Sequence, residues 1–416
     1  MNRPLTALVA TMMLCIAAHA DPTGFLPPEQ SIEQALEELP DIAAARARVE
    51  EAQARGEALA RGDYGFELTV MPLARHEMQG TTYAEVEAMV TRSFRLPRKR
   101  RIDRALGALG EEASTLALAD VRHMAARLLL ERWFDWLETA GKVALTERQW
   151  ALTEDERKKV EKRLGTGDLA QLDLERAQAA EAQAAARTIE ARQARERARA
   201  AMAETFPALG LPAAMPEIPD PVTDFAATTQ MIQDIMQHSH EVAIARKLAE
   251  RQSLAAARAD ANRLPDPSLG LRMLDEAQGE QKSLSLVVTI PFAAPSVDPT
   301  ARAEQHLASA MTADAAAIER QVMTEARQLA ESLPLLVQSW ESARRARVVT
   351  EAALTRVSKA WTLGEAGFAD LALARHQAYD TEAAELAARL ALHKSALRVE
   401  IDTHRLWLAH KDLAQH

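Results

Sequence analysis

The chain has one cysteine in 416 residues, Cys15, which excludes an internal disulfide. Once residues 1–20 are set aside, it has no thiolate for catalysis or metal binding. Aromatics are few (4%) beside abundant Ala, Glu, Arg and Leu, a composition of long helices. A basic surplus is missing too: the net charge of −10 argues against non-specific nucleic-acid binding, which needs a basic face. After the N-terminal segment no stretch approaches the roughly 18–20 apolar residues of a membrane helix. There is no nucleophile elbow, phosphate loop or paired-acid site in a supporting context, so neither an enzyme nor a cofactor is expected.

Residues 1–20 read as a secretory signal peptide. Arg3 is the basic region, Leu5 to Ala17 an apolar run too short to span, and Ala18-His19-Ala20 the small-x-small cleavage site before Asp21. Leu14 is too bulky for a lipoprotein site at Cys15, so plain cleavage without lipid anchoring is expected.

Two stretches, residues 164–178 and 363–377, share seven of fifteen positions without a gap, pairing Gly165 with Gly364 and Arg176 with Arg375. Each breaks a helical pattern with glycine and starts another. Between and around them the chain runs through one series twice. Residues 30–62 are helix formers, with Pro40 and Gly56 as exceptions. Alternation then predicts strands at about 65–74 and 82–94, where Phe66, Leu68 and Val70 face opposite Glu67 and Thr69, and Val86 and Val90 opposite Glu85 and Glu87. A proline-free helical pattern fills 98–163, and another reaches Phe206. Five prolines in 207–222 make a linker, placed at 207–225 in the domain division. The second series gives strands at about 267–274 and 282–292, then a helical pattern over 299–362 interrupted by Pro334, and a last helix. Matched landmarks lie 198–200 residues apart, which indicates tandem repeats over 21–206 and 226–410, with a tail at 411–416.

Four strands cannot close a sheet, yet one of their faces is apolar. The long helices project far beyond the strands and have their own partners, so the strands are expected to pair with those of other chains. A closed barrel, apolar outside and polar inside, is the β solution for a bilayer, and strands of about 9–11 residues suit it. In the last helix Leu371, Ala378, Leu392, Val399 and Leu406 follow a seven-residue repeat, with Glu385 at its third place.

Signal peptide, doubled helix–strand–strand–hairpin, Leu264-Pro-Asp-Pro-Ser268 before the third strand and glycine hairpin turns together resemble the TolC family of outer-membrane efflux ducts. The resemblance covers essentially the whole mature chain. Leu264–Ser268 and Phe94-Arg-Leu-Pro-Arg-Lys-Arg-Arg101 look most like the heavy-metal cation efflux branch, with Arg98 where that branch has glycine. The likeness implies a mainly α chain with a small β part, assembled as a homotrimer. Its twelve-stranded barrel would sit in outer-membrane lipid and continue as a periplasmic α-helical barrel. It also implies a passive duct working with a periplasmic adaptor and an inner-membrane pump of the resistance-nodulation-division type.

In that family the hairpin tips, here 164–169 and 363–368, form the aperture and meet the adaptor. This assigns Gly165, Gly167, Leu169, Arg176, Gly364, Gly367, Phe368 and Arg375 to docking. Asp370 resembles an aspartate that narrows the tunnel tip, and Asp168 and Asp173 are further gate candidates. All three equally suit helix-start acids favoured by the dipole. Glu67, Glu85 and Glu87 lie on the polar strand face and are expected to make the channel interior electronegative. The run Arg95, Arg98, Lys99, Arg100, Arg101 fits either headgroup contact or a solvated patch. His238-Ser-His240, lacking a third ligand nearby, reads as a surface helix, and no metal site is expected. Trp133 and Trp136 read as packing residues. Two rivals remain: a soluble periplasmic coiled-coil adaptor or scaffold, and the same duct serving drugs or type I polypeptide secretion.

Overall fold

A computed structural model describes residues 24–76, 78, 80, 82–276 and 279–407. The expected signal peptide and tail lie outside them. The order is α1 (Glu29–Glu37), α2 (Pro40–Arg61), β1 (Phe66–His76), β2 (Thr82–Ser93), α3 (Pro97–Gly165) and α4 (Gln171–Thr205). It then recurs as α5 (Thr228–His238), α6 (His240–Ala261), β3 (Ser268–Glu276), β4 (Gln281–Thr289), α7 (Val297–Leu363) and α8 (Phe368–Asp402). The single helical pattern expected over 30–62 is two helices. Leu39 is extended, and Pro40 occupies the first turn of α2, where its missing N–H costs nothing.

At 69 residues, α3 would be about 100 Å long if straight. It stays helical through three glycines, one of which sets a helix crossing. A Cβ added to Gly107 would lie 2.9 Å from the Cα of Gly56, so only glycine lets α2 approach α3 at this point. The break expected at Pro334 does not occur: α7 is one helix from Val297 to Leu363. An interior proline costs a helix about 3 kcal/mol. Here Ala330, Leu333 and Trp340 on either side are buried against Leu392 and Val399 of α8, and that packing carries the helix through.

The largest core lies midway along α3, where Trp133, Phe134, Trp136 and Leu137 pack with Ile32, Ile42, Met202, Phe206, Leu390 and Ile401. Both tryptophans are packing residues, as expected. A fully buried side chain of this size contributes about 1.5–3 kcal/mol. The proline-rich linker lies along α8, whose Arg389 Nη1 donates to the Ile218 carbonyl at 3.2 Å; His393 Nε2 lies 3.0 Å from the Pro219 carbonyl. Beside it, Glu385 interrupts the apolar seam of α8 and is itself buried.

All four strands form one antiparallel sheet in the order β1-β2-β3-β4, so β1 and β4 are both edges. Among the described residues no helix is long and apolar enough to cross a membrane.

Candidate functional site

The sheet has two unlike faces. Leu68, Val90, Leu271 and Leu286 form one row across all four strands, and Val70, Ala88, Met273 and Leu284 form the next. The first row is 66%, 42%, 57% and 66% exposed, so none of the described residues covers this apolar face. On the other face Arg272 Nε and Nη2 donate to the two carboxylate oxygens of Glu87 at 2.5 and 2.7 Å. Arg75 Nε is 3.0 Å from Glu85 and its Nη1 is 4.0 Å from Glu276. The acidic surface expected from Glu67, Glu85 and Glu87 is therefore largely cancelled. Glu85 and Glu87 are buried under paired guanidiniums, and Glu67 alone of the three is exposed.

Where strands meet helices, the cationic run is mostly spoken for. Arg95 Nη1 and Nη2 donate to the Leu59 and Ala60 carbonyls at 2.6 and 2.9 Å, closing the end of α2, and Nη1 also reaches Asp103 at 2.6 Å. Lys99 is buried 3.2 Å from Asp266, and Arg98 lies 3.5 Å from Asp260. Arg100 and Arg101 remain exposed. Asp266, the acid of the Pro-Asp-Pro motif, also accepts from the Leu96 amide at 2.9 Å and from the Tyr64 hydroxyl. Burial pushes the Asp266 carboxyl up, but these three donors overcome it and leave it below the usual range. Burial, then the Asp266 bond, pushes the Tyr64 phenol up to about 12. The motif thus joins the start of β3 to α3 and to the end of the first helical pair.

The two helical tips close by the same backbone bonds. Gly167 and Gly364 have φ of +79° and +78°. Gly167 N–H donates to Leu164 and Asp168 N–H to Arg163, each at 2.9 Å; Gly364 N–H donates to Trp361 at 3.1 Å and Glu365 N–H to Ala360 at 2.8 Å. Both are glycine-closed Schellman ends. The acids that follow match as well: Asp173 Oδ2 accepts from Ala170 N–H at 3.4 Å, and Asp370 Oδ2 from Gly367 N–H at 3.2 Å. Gly167 therefore corresponds to Gly364, and Asp173 to Asp370. This corrects the gapless pairing of Gly165 with Gly364, which is two residues out of register. Gly165 is the last residue of α3, with open space where a Cβ would be.

Three docking candidates are wholly or partly covered. Phe368 is buried with Val160, Ala177, Trp361 and Leu371, and Leu169 packs partly on the same cluster. Arg375 of α8 forms an ion pair with the buried Glu156 of α3. Burial pushes the Glu156 carboxyl up, while Arg375 pulls it back. Arg163 Nη1 donates to the Trp361 carbonyl at 3.2 Å, so the two tips are one packed unit. Exposed at their surface are Gly165, Gly167, Gly364, Gly367 and Arg176, together with Leu172, Leu363 and Leu373. Asp168 accepts from Thr166 Oγ1 at 3.0 Å, Asp173 lies 3.7 Å from Arg176, and Asp370 is exposed. All three are bound as helix-end acids.

The surface-helix reading of His238-Ser-His240 holds for His238 and fails for His240. His240 is buried, its ring stacked on that of His404 at 4.7 Å and 5.9 Å from that of His123.

No family model and no curated protein matches this sequence. Solved structures do match. The outer-membrane channel OprN is 18% identical with a TM-score of 0.78, over 93% of this chain and 92% of that one. The fold is that of the TolC-like outer-membrane channels. The CmeC outer membrane channel of Campylobacter jejuni is 12% identical (TM-score 0.75; 94% of this chain, 89% of that one). CusC, solved in a study of transmembrane channel formation, is 15% identical (0.74; 90% and 91%). At these identities the likeness is one of fold.

Proposed function

We propose that three copies of this chain close β1 of one onto β4 of the next, forming a twelve-stranded barrel in the outer membrane, and that the helices continue it as an efflux duct. The observation that carries this reading is the sheet itself. It has an uncovered apolar face, an ion-paired polar face and two open edges, and lipid demands that every edge be paired. The shared fold with outer-membrane channels supports the same reading.

The exposed part of the tips is the surface that an adaptor would meet: Gly165, Leu172, Arg176, Gly364, Leu363 and Leu373. Gly165 supports this, because neither backbone conformation nor crowding requires glycine there. Exposure at the tip supports Asp370 as the acid that narrows the mouth. The resemblance of segments 94–101 and 264–268 to the cation efflux branch supports heavy-metal cargo, and the wider family likeness supports a pump of the resistance-nodulation-division type. Most residues of the two segments have structural work inside the chain.

The test is purification in detergent, sizing, and conductance in a planar bilayer. A trimer that conducts supports the duct. A monomer that stays soluble without detergent would instead make this a periplasmic helical scaffold. A susceptibility panel of metals and drugs in a deletion strain then assigns the cargo.

A further inference from the structure

His123 of α3, His240 in the first turn of α6 and His404 in the turn after α8 come from three distant parts of the chain. One ring nitrogen of each lies within 4.8 Å of the other two. His404 gets there through a left-handed backbone, φ +58°. His240 Nε2 and His404 Nε2 are both shut off from solvent with no hydrogen-bond partner. An unpaired buried polar atom costs about 1–3 kcal/mol. Two of them side by side need an explanation that packing does not supply.

The surroundings supply one. His123 Nε2 lies 3.1 Å from Asp402 Oδ1. A carboxylate held on an imidazole nitrogen is the usual support of a metal-binding histidine. Asp402 is itself fixed by Arg127 Nε at 2.7 Å and Arg398 Nε at 2.9 Å. Among the charged groups around the rings, Arg127 and Arg398 are set against Asp402, Glu241, Glu325 and Asp120, so acids outnumber cations. Burial, followed by the other rings of the cluster, pushes the His240 and His404 imidazoles down. Beside the rings is a cavity of about 390 Å³, lined by His123, His240, Ser239 and Glu241 among others, with room for a water ligand.

We infer that His123, His240 and His404 form a site for one divalent transition-metal ion per chain, of the zinc class, with its fourth position open to water. Hard ions such as calcium and magnesium prefer oxygen ligands, whereas zinc, copper(II) and nickel bind imidazole nitrogens strongly. Tetrahedral zinc with bonds of about 2.0–2.1 Å holds its nitrogens roughly 3.4 Å apart, so the rings need close by only about an ångström. The bound ion would pin the turn after α8 onto α3 and α6.

Zinc, and cobalt(II) as its coloured stand-in, would be titrated into the full-length detergent-purified protein after chelator treatment. One ion per chain is expected, with the visible bands of a tetrahedral nitrogen-ligated cobalt and a zinc-dependent rise in the unfolding midpoint. His240→Gln and His404→Gln should each weaken binding roughly tenfold or more and abolish both signals. His306→Gln, on an exposed part of α7, should change neither. Should His240→Gln not fold, His404→Gln, lying in the turn beyond α8, decides alone. No binding to the wild-type protein, or equal binding in all three variants, overturns the site. Binding is read without transport, so either result leaves the duct reading where it stands.

Discussion

Trp340 of α7 donates its indole N–H to Glu385 of α8 at 3.1 Å, in the middle of an otherwise apolar helix–helix seam. Arg389, one turn on, gives the same carboxylate two more bonds at 2.9 and 2.6 Å. Burial pushes Glu385 up, but Arg389 and then Trp340 hold it below the usual range. A buried acid so fully partnered is sound, whereas its partners alone are not. Glu385→Ala should destabilise by about 3 kcal/mol, and Glu385→Ala with Arg389→Leu should recover part of that, as read by thermal unfolding of the double-mutant cycle. Additive losses would show that the two side chains do not act as a unit.

The apolar face of the sheet should tolerate charge badly. Leu271→Arg places a cation mid-strand on that face, which costs a membrane barrel about 2–4 kcal/mol. Less heat-resistant oligomer should reach the outer membrane. Ser285→Arg, on the opposite face, should leave the yield unchanged. Equal yields from both would remove the assignment of faces to lipid and lumen.

At the tips, local structure separates from docking. Gly364→Ala and Gly167→Ala force a side chain into left-handed geometry at about 1–2 kcal/mol each, visible as earlier melting. Gly165→Trp should melt normally, since its side chain meets open space, yet lower efflux and crosslinking to the adaptor. Arg375→Ala should reduce stability by leaving Glu156 buried and unpaired. Full efflux by Gly165→Trp would end the docking role of that surface.

The Asp266–Tyr64 junction predicts loss at both ends of the pH scale. Asp266 holds its proton less tightly folded than unfolded, so its contribution is complete above about pH 4 and is lost as pH falls below that. Tyr64 holds its proton more tightly folded, so its share is present below about pH 10 and is lost as pH rises toward 12. Asp266→Asn should flatten the acid limb of the unfolding midpoint. Tyr64→Phe should remove a late-titrating phenolate from the absorbance. An unchanged acid limb in Asp266→Asn would place the acid sensitivity elsewhere.

The strands were legible because a period of two survives any context, and their bounds moved by at most three residues. The tip register was not. Leu, Ala and Arg recur so often in these helices that a two-residue slip still gives seven identities, and only the positive φ of Gly167 settles which glycine turns the chain. The burial of Phe368 and Arg375 depends on the neighbouring hairpin, which no local pattern encodes. His123, His240 and His404 share no spacing, and the pair that drew notice, His238 and His240, is half surface. Glu385 was visible as an anomaly, but its resolution needed Trp340.

The open edges of β1 and β4 have a genetic consequence. If each subunit must be joined on both sides, a chain crippled at one edge can still enter an assembly through the other and ruin it. With equal amounts of sound and crippled chains, only about one trimer in eight is made wholly of sound ones. A proline in β4 would then behave as a dominant lesion, whereas, on the reading of residues 1–20 as an export signal, damage there would keep the chain out of the assembly and be recessive.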